Sequence, residues 1–543
     1  MGDRPDMKLV SKQDIKNLLG QVPLTAEAYW YIRQPGKPVT PEFTLDRLEA
    51  AIPAWRAQVL EAPTYRSGDH SSHAAGRKRI FIFATLRYWL EHATALAMAL
   101  AGMRHSVRLA YLPYARWQKS IDVFNLRRQN VYAENVLAKS SPLLSIVPLL
   151  NQPRNIRIPG ELWKTIELIS LRDTQYTLQV EEVSLESSLY KLRLHRNRVA
   201  AIAAYSYLRR HNPDMIILPN GTILEFGVIY QVARCLGIPT ITYEFGEQRE
   251  RIWLARDAEV MRQDTSDLWL KRKDQLPAEN QLEQVRKLFA ARQRASLWEN
   301  FARRWQGVPS EGGAQVRQTL NLDQRPVVLL ATNVIGDSLT LGRQVFSDSM
   351  TEWLEKTVRY FVEHPEVQLV VRIHPGELIT KGPSVADVVQ HALPSLPENI
   401  RLVPADAKVN TYDIVEIADL GLVYTTTVGM EMAMSGVPVI VVGNTHYRAK
   451  GFSLDPGSWV AYFELLSKVL SNPSDYRLRE EQVQQAWNYA YRFFFEYPHP
   501  FPWHLVHFWK DIETWPLARL LSEEGSATFQ QTFSYLAGEP IGW

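Results

Sequence analysis

The chain has 543 residues, 46% hydrophobic and 22% charged, with a formal net charge of +3, a balance that suits a folded globular protein of two or three domains and gives no electrostatic footprint for nucleic acid. Its single cysteine, Cys235, excludes a disulfide framework and a cysteine-rich zinc module. The opening MGDRPDMKLVSKQD holds no apolar stretch and the longest apolar helical run, 93–102, is too short to span a bilayer, so the sequence predicts a cytoplasmic protein, with contact to the inner face of the membrane allowed as peripheral attachment.

In chain order, residues 1–75 read as an N-terminal extension ending in a polar linker. A strand at 79–84, a helix over 86–102 and a strand at 107–112 form a β-α-β unit. A helical insertion is expected over 114–210. Its basic run 191–198 reads as a solvated helix face, with contact to anionic lipid or a lipid-linked acceptor as the second reading. Strands return at 215–219 and 240–243 around a helix at 221–236, which Gly237 and Pro239 stop. Residues 255–320 are charged and helical, with a loop at 307–313. The second half repeats the alternation, with strands at 326–331, 368–373, 402–404, 421–424 and 437–442 and helices at 347–363, 411–418 and 428–435. The tail 462–543 is helical and aromatic. Strands alternating with helices predict an α/β fold with two doubly wound halves. The expected division is an extension 1–75, a first Rossmann-like domain 76–270, a helical connection 271–320, a second Rossmann-like domain 321–470, and a segment 471–543 packing back on the first half.

Open α/β sheets bind ligands at the carboxyl ends of their strands, so the residues just after each strand carry the chemistry. Arg372-Ile373-His374-Pro375 closes one strand. Pro375 biases His374 toward an extended backbone, which would hold the imidazole over the crevice as a donor to phosphate or to a leaving nucleotide. The plainer reading is a strand-ending dipeptide. Next, Thr425, Thr426 and Thr427 open a helix whose N-terminus suits an anion, and Gly429 permits close approach. Glu431 lies one residue beyond capping-box spacing from Thr427, leaving its carboxylate for ribose or sugar hydroxyls. Ordinary Thr capping is the alternative. In the loop 443–456, His446, Arg448 and Lys450 suit phosphate or a carboxylated sugar, against a solvated loop with scattered charge. In the first half, Asn220-Gly221 and Glu244-Phe245-Gly246 follow two strands. Glu244 there suits deprotonation of an acceptor hydroxyl, against a capping or salt-bridged role. Asn333, Asp337 and Ser338 sit in a loop after the strand at 326–331. It is neither a Walker motif nor a G-x-G-x-x-G, which argues against a dehydrogenase.

Taken together, Arg372-Ile-His374-Pro375, Tyr424-Thr-Thr-Thr-Val-Gly-Met-Glu431, Gly436-Val-Pro438-Val and His446-Tyr-Arg-Ala-Lys-Gly-Phe452 with Asp455, preceded by Asn220-Gly221 and Glu244-x-Gly246, resemble the capsule polysaccharide biosynthesis family, which includes the Kdo transferases of capsule assembly. The resemblance spans residues 210–260 and 325–465. It implies a GT-B fold, with two Rossmann-like domains facing across a cleft, the first for the acceptor and the second for a nucleotide-sugar donor (CMP-Kdo in the best-known members). It implies that His374 contacts the donor phosphate, that Thr425–Thr427 match the donor-binding motif, and that Glu244 matches the acidic position of the acceptor half. A CMP sugar carries one phosphate, so the resemblance further implies no metal and no cofactor. The expected function is transfer of a sugar to a growing capsular or other surface glycan, free or lipid-linked. Two alternatives are a GT-B-fold sugar-nucleotide epimerase, which needs no acceptor, and a non-catalytic polysaccharide-binding component of an export complex.

Overall fold

Strands form where β-branched and aliphatic runs are bounded by Gly, Pro and polar turns. The computed structural model describes residues 12–66, 76–297 and 307–543. Twelve strands are present among them: β1 (Arg79–Thr85), β2 (Ser106–Leu112), β3 (Leu144–Pro148), β4 (Met215–Pro219), β5 (Thr240–Glu244), β6 (Arg251–Arg256), β7 (Val327–Ala331), β8 (Gln368–Arg372), β9 (Ile400–Val403), β10 (Leu420–Val423), β11 (Val439–Val441) and β12 (His499–Pro500). They build one sheet of order β12-β6-β5-β4-β1-β2-β3 and another of order β11-β10-β7-β8-β9. Strands β1 to β5 pair in parallel, as do β7 to β11. In both sheets the half's own third, second, first, fourth and fifth strands lie side by side, the doubly wound order. The strand order reverses between β1 and β4 in one half and between β7 and β10 in the other. Ligand crevices form at those two points. The α/β class with two Rossmann-like domains is thus the observed architecture.

Several local expectations are corrected. The stretch 114–210 is not wholly helical, because β3 lies within it and forms the sheet edge beside β2. The first sheet is not purely parallel either. β6 turns back antiparallel to β5, pairing Glu244 with Trp253, and β12 of the tail adds antiparallel to β6. The basic run 191–198 is no solvated face, since its helix, Ser188–His211, packs between neighbouring helices. Arg193 is fully buried between Asp173 (3.3 Å) and Glu225 (3.2 Å). Arg196 donates to the carbonyls of Arg116 (2.7 Å) and Lys119 and lies over the Tyr114 ring. Only Lys191 and Arg198 of this run reach surface partners, Glu186 and Glu167. The buried cluster also positions a site loop. Asp173 accepts the backbone N–H of Leu224, a residue held at φ +56° just after β4.

The cores also redraw the segments read as extension, connection and tail. Helix Asp46–Glu61 delivers Leu48, Ile52, Trp55 and Val59, one apolar stripe at helical spacing, into the first core. Trp269, Val285 and Leu288 pack into the second half. The tail is divided: Tyr489, Phe493 and Phe494 belong to the second core, whereas Phe501, Trp503 and Phe533 belong to the first. The chain therefore crosses between halves twice. Direct bonds join the halves as well. Glu181 accepts the N–H groups of Met350 (2.8 Å) and Thr351 (2.9 Å), capping helix Met350–Val362 from across the cleft, and Gln179 accepts the N–H of Lys381 at 3.0 Å. Among the described residues no helix is long and apolar enough to cross a membrane.

Candidate functional site

A cavity of about 900 Å³ opens between the halves, within the range that holds a nucleotide-sized ligand. One wall is the carboxyl edge of the second sheet at its switch point. Thr332 and Asn333 follow β7, His374 follows β8, and Thr425, Thr426 and Thr427 follow β10. The facing wall comes from the first half, through Tyr176, Gly246, Glu247 and Trp253, and the tail closes one side with Phe493 and Phe494.

The polar groups of this wall are fixed in distinct ways. The His374 backbone N–H donates to Thr332 Oγ1 at 3.1 Å, pinning the residue where β8 ends. Its ring Nδ1 accepts the N–H of Gly376 at 2.9 Å. A ring nitrogen that accepts carries no proton, so the neutral imidazole holds its proton on Nε2. The side chain is exposed toward the cavity. Asn333 Oδ1 accepts the N–H of Thr425 (3.1 Å), and the Thr425 hydroxyl donates to Leu339 O (2.9 Å), which commits Thr425 to holding the loop. The hydroxyls of Thr426 and Thr427 make no hydrogen bond among the described residues, and both residues border the cavity. Asp337 borders it too. Its Oδ1 accepts from the N–H (2.7 Å) and hydroxyl (3.3 Å) of Ser338, which itself is not part of the lining.

Arg372 and Glu431 border the cavity but are bound within the protein. Arg372 donates to Pro404 O (2.5 Å), Val409 O (3.3 Å) and Thr411 Oγ1 (3.4 Å), anchoring the loop beyond β9, and burial pulls its pKa down to about 10. Glu431, expected at sugar hydroxyls, pairs with Arg292 and accepts from the Tyr412 hydroxyl at 2.9 Å. Gly429 lies outside the lining. A Cβ there would fall 2.3 Å from the Tyr447 hydroxyl, which donates to Thr426 O at 2.6 Å. Glycine at 429 therefore admits Tyr447, and Tyr447 braces the threonine turn.

The loop 443–456 is corrected outright. None of His446, Arg448 and Lys450 borders the cavity. His446 is buried, stacked on Phe493 at 3.7 Å and bonded to the Tyr489 hydroxyl. Burial pushes its pKa down to about 3, so the ring is neutral and cannot balance a phosphate. Arg448 donates to the carbonyls of Val441 and Pro456 (2.5 Å), and Lys450 donates to Ser266 at 3.1 Å. Arg448 thus ties its own loop to the end of β11, and Lys450 reaches to the start of helix Ser266–Arg272. Arg448→Ala is accordingly expected to lower stability by about 2 kcal/mol while leaving ligand affinity in the cavity unchanged, measured by denaturant unfolding beside a binding titration.

Asn220, Gly221 and Glu244 lie together at the carboxyl ends of β4 and β5, but outside this cavity's lining. Asn220 Nδ2 donates to Glu244 Oε2 at 3.2 Å, and the other Glu244 oxygen accepts the N–H of Phe245 at 3.0 Å. Gly221, at φ +78°, turns the chain against Thr242. Glu244 is half-buried, and burial raises its pKa. Its charge acts on both Tyr88 and Tyr176, and Tyr176 lines the cavity. Glu244 thus lies outside the lining, two residues before Gly246, which borders the cavity. The reading from sequence did not single out Tyr176, Glu247, Trp253, Arg292 or the Phe493–Phe494 pair. Of these, only the aromatic run 493–495 carried a local signal.

No protein-family model and no curated protein matches the chain. Two Kdo transferases are similar in structure. KpsC, beta Kdo 2,4 transferase, of Thermosulfurimonas dismutans is 15% identical over 51% of this chain and 80% of its own, with a TM-score of 0.31. The beta Kdo 2,7 transferase of the same protein is 14% identical over 56% of this chain and 88% of its own, with a TM-score of 0.30. The UDP-GlcNAc 2-epimerase of Neisseria meningitidis, bound to UDP-GlcNAc, is 13% identical over 77% and 98%, with a TM-score of 0.25.

Proposed function

We propose that this protein is a glycosyltransferase that draws a sugar from a nucleotide-sugar donor in the interdomain cavity and passes it to a glycan of a bacterial surface polysaccharide. One observation carries the reading: the switch-point edge of the second sheet presents His374 and the hydroxyls of Thr426 and Thr427 to one cavity. Hydroxyls and an Nε2–H are donors, and they suit the phosphate oxygens of a nucleotide. Phe493 and Phe494 give an apolar face for a base. In the transfer, the bond between the sugar's anomeric carbon and the donor phosphate oxygen breaks, and its electron pair leaves with the nucleotide. The acceptor hydroxyl oxygen forms the new bond and gives its proton to Glu244. Donors from His374, Thr426 and Thr427 stabilise the charge gathering on the phosphate. No step in this scheme calls on a metal.

A thermal-shift panel of CMP, UDP, GDP and dTDP in buffer containing EDTA tests the donor site. A nucleotide at about a hundred times its Kd stabilises the folded protein by about 2.7 kcal/mol, so Tm should rise by several degrees with at least one of the four. Thr426→Val with Thr427→Val should weaken that nucleotide at least tenfold, or about 1.4 kcal/mol. A flat response to all four nucleotides would remove the donor site from this cavity.

A further inference from the structure

The first sheet has its own switch point, between β1 and β4, and a second cavity of about 610 Å³ is lined in part by the residues that follow β1. Immediately after β1, Arg87 and Tyr88 open helix Arg87–Gly102 and border this cavity. Glu91, one turn on, borders it too. It is 5% exposed, and Oε2 accepts the Trp509 indole N–H at 3.1 Å. Its second oxygen makes no hydrogen bond among the described residues. Trp509 is rigidly held, stacked on Trp55 with centroids 5.9 Å apart and covered by Arg47 at 4.5 Å. Lys510 and Glu513 complete the tail's side of the cavity. No ion pair within 4 Å joins Arg47, Arg87 or Lys510 to a carboxylate among the described residues, although the charges of Arg87 and Arg47 act on Glu91 and Glu513 shares the lining.

The lining is thus a mixture of strong donors, strong acceptors and an aromatic edge. A phosphate-rich ligand would meet Glu91 and Glu513, and an apolar ligand would desolvate the charged groups of the lining without giving them hydrogen bonds. Sugar hydroxyls are donor and acceptor at once and fit both kinds of group, and Tyr88 gives a partly exposed ring for a sugar face. The cavity's position adds to the argument. Phe245, next to Glu244 at the end of β5, stacks on Trp89, the neighbour of Tyr88 on this cavity, with centroids 6.1 Å apart, and the ring of His504, the neighbour of Leu505 on this cavity, lies 3.3 Å from the carbonyl of Gly246 on the interdomain cavity.

We propose that this second cavity holds the body of the acceptor glycan, and that its terminal hydroxyl emerges at the seam by Glu244, facing the donor cavity. The inference rests on the transferase reading above and names where that reading's acceptor lies. Sugar units bound far from the reacting carbon would then raise turnover on long acceptors, because remote contacts help to position the reacting end.

The test uses the full chain and a printed array of bacterial surface polysaccharides and their oligosaccharides, with the nucleotide thermal shift measured in parallel. Wild-type protein is expected to be retained on at least one glycan. Arg87→Ala with Lys510→Ala, two exposed positions away from the transfer machinery, should lower that retention at least tenfold with an unchanged nucleotide shift, and Tyr88→Ala should act in the same direction. Undiminished retention in these variants, or no retention of a wild-type protein that does bind nucleotide, overturns the assignment. Retention that depends on Arg87 and Lys510 without any nucleotide shift would keep the glycan cavity and overturn the transferase reading instead.

Discussion

His374→Ala is expected to lower turnover about 100- to 10,000-fold, the range for a positioned proton donor, with little change in the fold. The side chain is exposed, and its ring Nδ1 accepts the N–H of Gly376. Losing that cap costs about 1 kcal/mol, far less than the catalytic effect. Because the Nε2–H would act on charge that develops as the nucleotide leaves, kcat should fall much further than the donor's KM rises. His374→Asn makes the comparison sharper. Asn offers an oxygen to the Gly376 N–H and so preserves the turn, but its shorter side chain withdraws the donor from the cavity. Steady-state kinetics of both variants, with thermal melts alongside, give the answer: wild-type turnover in either would take His374 out of the reaction.

The parts of this molecule that were legible from sequence are those written in short, continuous stretches. The strand ending in Arg372-Ile-His374-Pro375 and the hydroxyl run after β10 both follow buried, aliphatic strands, whose burial on two faces makes them near-continuous apolar runs. Proline and glycine then mark their ends, so His374 and Thr425–Thr427 could be placed at a sheet's carboxyl edge without knowledge of any distant contact. The same logic located Glu244 at the end of β5, although it could not show that Glu244 lies outside the lining of the main cavity.

What failed was decided by contacts made only in the folded chain. His446 and Arg448 look like ligands in a loop of mixed charge. Tyr489 and Phe493, more than forty residues later, bury His446, and the carbonyls of Val441 and Pro456 occupy Arg448. No local pattern separates a ligand histidine from one stacked in a core. The basic run 191–198 failed in the same way. Arg193 lies in the core because Asp173 and Glu225, on two other helices, compensate its charge. β3 was missed because five residues ending in proline give too little alternation to outweigh the helical segments around them.

Glu244→Gln is expected to reduce kcat/KM about 100- to 10,000-fold by removing the base, and its pH dependence distinguishes this from a packing defect. Burial holds the Glu244 pKa above its ordinary value of 4.5. A base works only when deprotonated, so the acid limb of the wild-type kcat/KM profile should lie above that value and vanish in the variant. Stability carries an independent sign. In the window above the ordinary glutamate range the folded protein binds this proton more tightly than the unfolded chain does, so the wild type loses stability as pH rises through that window. Glutamine does not titrate, and the variant's Tm should therefore gain on the wild type from acid toward neutral pH. Glu247→Gln supplies the control, because Glu247 borders the main cavity whereas Glu244 lies outside its lining. A loss below tenfold is expected there. If Glu247→Gln abolishes the acid limb and Glu244→Gln preserves it, the base is Glu247, and the acceptor hydroxyl lies within the main cavity.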